Sequence, residues 1–156
     1  MLEALRQGLI GLTLVVTPVV AMAQQAPDPL FGTRTLNVAK STLPEAWALR
    51  SVLLTYEAAG DALKATWTGT RADGTTTTVP FAAMFDGKDY PAAGSSSWDS
   101  IALRRLDRFS VEASRKKAGA FVGTLHLAVS EDGVVLTVTE RDASGAQIAV
   151  LVYERQ

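Results

Sequence analysis

The chain has 156 residues, 47% of them apolar, with 15 Lys+Arg against 16 Asp+Glu, one His and no Cys. That length suits one domain, large enough to bury most of its unfolded surface without disulfides or metal. A net charge of −1 excludes the basic excess of a nucleic-acid binder, and zero Cys excludes disulfides, thiolate zinc sites, iron–sulfur clusters and a cysteine nucleophile.

At the N-terminus, Arg6 and the free amine precede an uncharged, mostly apolar run from Gly8 to Val20. Ala21-Met22-Ala23 then presents small residues where a signal peptidase reads. The apolar run is 13 residues, short of the roughly 20 that a helix needs to cross a bilayer, and no Cys is present for lipidation. Residues 1–23 are therefore expected to be a signal peptide cleaved after Ala23, with a periplasmic or extracellular destination. Residues 24–30, rich in Gln, Pro, Asp and Ala, read as a disordered leader, and 31–156 as the domain.

From Phe31 onward, turn signals recur at a nearly regular interval: Gly60-Asp61, Asp73-Gly74, Asp86-Gly87, Asp107-Arg108, Gly119, Asp132-Gly133 and Ser144-Gly145. Asp-Gly suits the positive φ of a type I′ hairpin turn. Between the turns the pattern alternates with period two. Leu63, Ala65 and Trp67 oppose Lys64, Thr66 and Thr68; Phe121, Leu125, Leu127 and Val129 oppose Thr124 and His126; Leu136 and Val138 alternate with Thr137 and Thr139. Strands are expected at 31–38, 49–57, 63–71, 75–85, 99–106, 109–117, 120–129, 133–141 and 146–155, with a short piece near 88–92. Residues 39–48 hold at most a short helical turn.

A long antiparallel meander with one apolar face must close or split into two layers, and closure removes exposed edges. The expected fold is all-β, an up-and-down antiparallel barrel of about 8–10 strands. A sandwich is the alternative, but only 86–99 offers a long crossover. The outward positions would include Lys64, Glu112, Ser114, Thr124, Thr137 and Thr139, which break the apolar band of an outer-membrane barrel.

Several stretches resemble a known group. They are Phe31-Gly32-Thr33 running into Leu36-Asn37-Val38-Ala39-Lys40-Ser41, Tyr56-Glu57 before Gly60-Asp61, and Phe85-Asp86-Gly87-Lys88-Asp89-Tyr90-Pro91. Val129-Ser130-Glu131-Asp132-Gly133 before Leu136-Thr137-Val138-Thr139, and Val152-Tyr153-Glu154-Arg155, complete the pattern. Together they resemble secreted bacterial lipocalin-like (calycin-type) proteins of unassigned function, over nearly all of 31–155. The resemblance implies a small barrel of a kind that can hold a ligand cavity; it implies no activity and no residue-level site. Lipocalins in the broad sense carry a Gly-x-Trp near the first strand, where Trp plugs the barrel floor. Here Arg34 takes that place.

Little in the chain suggests catalysis. A Ser-His-Asp triad would depend on His126 alone, and His126 falls on the polar face of its strand with no second ligand at metal spacing. Ser95–Ser97 lack the strand–Ser–helix elbow of a hydrolase, Asp73-Gly74 lacks the ending of a phosphate loop, and the carboxylate pairs Asp86/Asp89 and Glu131/Asp132 sit at turns. No catalytic residue, metal ligand or cofactor is expected. Arg104, Arg105, Arg108, Arg115, Lys116 and Lys117 read as a solvated basic hairpin. Among the large aromatics (Trp47, Tyr56, Trp67, Phe81, Trp98 and Phe109), Tyr56, Trp67 and Phe81 are expected to line a barrel interior, and Trp98 to cover its mouth from the longest loop. The expectation is an exported, non-catalytic binding module for a small apolar or amphipathic molecule. The alternative is an envelope structural or protein-interaction domain with a side-chain-filled barrel.

Overall fold

The computed structural model describes residues 26–156; the expected signal peptide and its cleavage point lie outside the described residues. Ten strands follow in chain order: β1 Gly32–Leu36, β2 Leu49–Ala59, β3 Ala62–Arg71, β4 Thr76–Met84, β5 Asp86–Pro91, β6 Ser100–Asp107, β7 Ser110–Lys117, β8 Ala120–Val129, β9 Val135–Asp142 and β10 Gln147–Arg155. Two single-turn 3₁₀ pieces, Val38–Lys40 and Glu45–Trp47, occupy the β1–β2 connection. The short piece expected near 88–92 is β5.

All pairings are antiparallel, in the order β4-β3-β2-β1-β10-β9-β8-β7-β6-β5. The chain thus forms an all-β, up-and-down, nearly closed barrel. The two edge strands are consecutive in sequence, separated only by Phe85, and β5 opens with a register shift against β6 between Asp86 and Asp89, where Gly87 has φ +75°. β4 and β5 form no ladder with each other, and one isolated bridge joins Phe81 of β4 to Ala92, the residue after β5. The loop after β5 then leans on β4. The Ala93 N–H donates to the Pro80 carbonyl at 3.5 Å, and Gly94 (φ +82°) lies so close that a Cβ there would sit 2.0 Å from the Thr78 carbonyl oxygen.

Turn positions follow the expectation except at Asp86-Gly87, which lies inside β5, and turn types differ. At Asp73-Gly74, Asp132-Gly133 and Ser144-Gly145 only the Gly has positive φ. The Gly N–H donates to the carbonyl three residues back, on Arg71, Ser130 and Asp142 respectively. These are type I turns closed by a left-handed Gly, the three-residue hairpin. Among the described residues, only Ala118-Gly119, with φ +48° and +79°, has both turn residues left-handed as type I′ requires.

Alternation places Val52, Leu54, Tyr56, Leu63, Ala65, Ile101, Leu103, Leu127, Leu136, Val138, Leu151 and Tyr153 inside. Phe121 departs from its expected face and is 46% exposed. The β7–β8 register slips between Arg115, opposite Gly123, and Lys116, opposite Phe121. One extra residue in a ladder reverses which face its neighbours take.

The floor of the barrel is built on Arg34, which is fully buried. Its guanidinium donates to the carbonyls of Leu30 (2.8 Å), Pro29 (2.6 Å) and Gly133 (3.0 Å). Arg155 reaches the Gly133 and Phe31 carbonyls from beside it. Burial first, and the Arg155 charge second, lower the pKa of Arg34. Of the expected leader, Pro27–Leu30 run under this end. Leu30 is buried, Asp28 pairs with Arg105 at 2.7 Å, and the Pro27 carbonyl accepts from Arg108 at 3.2 Å.

Candidate binding cavity

A cavity of about 440 Å³ occupies the barrel above this floor. The register explains its wall, because cross-strand neighbours share a face. Tyr56 lies opposite Ala65 and Ala65 opposite Phe81; Leu54, Trp67 and Val79 form the adjacent row. On the other side of the barrel, Leu103, Ala113 and Leu125 repeat the large–small–large pattern.

Tyr56, Trp67, Phe81 and Trp98, the four residues expected to contact a ligand, all line this cavity. Trp67 is half-buried, and its indole N–H donates to the Tyr153 hydroxyl at 3.3 Å. The ring lies along its own strand, and a Cβ on Gly69 would come within 2.2 Å of it. Gly69 is therefore required by the indole position. Trp98, on the β5–β6 loop, meets Phe81 edge-on at 6.2 Å between centroids, with Gly94 and Ser95–Ser97 lining the same end.

Sequence reasoning missed the charged pair inside. Arg115 donates to Glu140, and their side chains are only 12% and 13% exposed. The Arg115 guanidinium carbon lies 5.7 Å from the Trp98 ring centroid, and its Nε is buried without a partner. For the basic hairpin the expectation is a solvated face, with alternation splitting Arg104 and Arg105 between the two sides of the sheet. That holds for Arg104, which pairs with Glu112 outside the barrel, but not for Arg115. The period-two signal was present: Val111, Ala113 and Arg115 share parity, as do Leu136, Val138 and Glu140.

Burial pushes the Tyr56 and Tyr153 hydroxyls well above the usual phenol range, and both remain neutral. As neutral phenols they can donate and accept hydrogen bonds. His126 is exposed on the outer face, opposite Glu112 and Thr139. Among the described residues, no three His, Asp or Glu side chains converge as metal ligands would, and no helix is long and apolar enough to cross a membrane. What the interior offers is apolar volume, neutral donors and one internal ion pair. No family model, curated protein or solved structure matches the chain.

Proposed function

We propose that this protein is an exported, non-catalytic binding module that holds one small apolar or amphipathic molecule inside a lipocalin-like barrel. The observation that carries the reading is the cavity of about 440 Å³ walled by Tyr56, Trp67 and Phe81. It falls within the roughly 300–1,000 Å³ typical of small-molecule sites, which are mostly apolar with a few fixed polar groups. The same volume supports a binder over a side-chain-filled barrel that acts through its surface. The resemblance of the Phe31–Ser41 and Phe85–Pro91 stretches to secreted lipocalin-like proteins supports both the fold family and the compartment. No cofactor and no nucleic-acid partner belong to this reading.

Titration with the apolar dye N-phenyl-1-naphthylamine tests it. Binding should raise dye fluorescence and quench Trp67. Trp67→Ala should fold and weaken dye affinity about tenfold. As a cavity wall with partners on one side, Trp67 should lose less stability than the about 3–5 kcal/mol typical of a packed core Trp→Ala. Large destabilisation together with no dye binding in the parent would sink the proposal and favour the filled barrel.

A further inference from the structure

We infer that the cavity selects an uncharged amphiphile, with its hydrogen-bonding head held at the Arg115–Glu140 pair, and that this pair enforces the exclusion of charged ligands. The inference rests on the binder reading above and adds the ligand class to it.

Besides its two tyrosines, the cavity lining contains three ionisable side chains: Arg71, Arg115 and Glu140. Arg71 is exposed. Arg115 and Glu140 are largely buried, and each is the other's partner. The interior charge is therefore already compensated. A buried pair tolerates the loss of one member badly, because the remaining charge is left desolvated and unpaired. A ligand carboxylate would either sit beside Glu140 as a second anion or displace it from Arg115. A ligand ammonium would meet Arg115 in the same way. An amide or hydroxyl head avoids both costs, since it can donate to the carboxylate and accept from the guanidinium while the pair stays formed.

Two further features agree. The Arg115 guanidinium lies over the Trp98 ring while it pairs with Glu140, so the ring attracts the cation without replacing its carboxylate partner. The rest of the wall (Leu54, Val79, Leu103, Leu127 and Leu151) is aliphatic. A cavity of about 440 Å³ is at the small end of small-molecule sites and suits a medium-length alkyl chain with a small head.

The test is displacement of N-phenyl-1-naphthylamine by three decyl compounds that share a chain: decanamide, decanoate and decylammonium. In the parent protein decanamide should compete at least about tenfold better than either ion. Glu140→Gln, which frees Arg115, should reverse the ranking in favour of decanoate. Arg115→Gln should instead favour decylammonium. A parent that prefers decanoate or decylammonium overturns the inference while leaving the binder reading standing. So does a folded Glu140→Gln protein with an unchanged ranking. The parent ranking is decisive by itself if a variant does not fold. If the dye fails to bind the parent at all, the binder reading falls and this inference falls with it.

Discussion

Arg34 shows how one side chain can organise the end of a barrel. Its guanidinium is fully withdrawn from solvent and is met by three carbonyl oxygens, from Leu30, Pro29 and Gly133, with no carboxylate among its hydrogen-bond partners. Hydrogen bonds to a charged group contribute about 1.5–3 kcal/mol each, so the residue ties the segment before β1 to the β8–β9 turn. Arg34→Ala should cost about 3 kcal/mol of unfolding free energy, read as a lower urea midpoint with unchanged slope. Arg34→Lys should recover little of it, because an ammonium cannot reproduce the planar fork that reaches separate carbonyls. An Arg34→Ala protein as stable as the parent would show that Arg155, which shares the Gly133 carbonyl, carries the floor alone.

The turns are stabilised by a recurring device. Asp73, Asp86, Asp107, Asp132 and Asp142 each accept the backbone N–H two residues on. All five carboxyls are held below the usual carboxylate range. Backbone N–H groups of Thr75 and Lys88 are the main cause at Asp73 and Asp86. Hydroxyls of Ser110, Ser130 and Ser144 lead at Asp107, Asp132 and Asp142. A pKa depressed in the folded state contributes stability that is present above the unfolded value, about 3.9 for Asp, and is lost as pH falls through the folded one. Thermal stability should therefore stay flat with respect to these groups at neutral pH and decline below about pH 4. The double variant Asp132→Asn/Asp142→Asn keeps an acceptor oxygen at each turn but no charge. It should melt below the parent at pH 7, and the gap should close in acid. A gap that stays constant from pH 7 to pH 2 would assign the effect to geometry instead of charge.

At the scale of the whole molecule, the barrel is closed unevenly. Nine neighbouring strand pairs form ladders, while β4 meets the chain after β5 only through the bridge at Ala92 and the leaning loop at Ala93-Gly94. Backbone groups without ladder partners open most readily. Amide hydrogen exchange should accordingly be fastest, among strand residues, in the free edges of β4 and β5, and slowest in β9 and β10, which are paired on both sides. Equal protection around the barrel would mean that the seam is tighter than one bridge allows. Pro80 and Pro91 lie on the two edge strands, where a missing N–H blunts pairing with another chain.

Local chemistry was legible in the sequence, and it determined the strands, the positions of the turns and the face of most side chains. Alternation and Gly-Asp punctuation act within a few residues, so they survive without any knowledge of what lies across the barrel. Tyr56 and Trp67 could be placed inside for that reason. Turn type was less legible, because Asp-Gly suits both the type I′ turn and the type I turn with a left-handed Gly. Phe121 was misplaced because a bulge inverts parity and leaves only a Gly as its mark. The tertiary structure alone decided the rest: that β4 and β5 form no ladder, that Arg34 reaches the distant Gly133 carbonyl as well as those of Pro29 and Leu30, and that a cavity remains between the side chains. It also decided that Arg115 and Glu140 meet inside. Parity could point each of them inward, but their pairing depends on the β7-β8-β9 register and the curvature that brings those strands around a common interior. Distances across a closed sheet are set by how many strands close it and how they stagger, which no stretch of the chain specifies by itself.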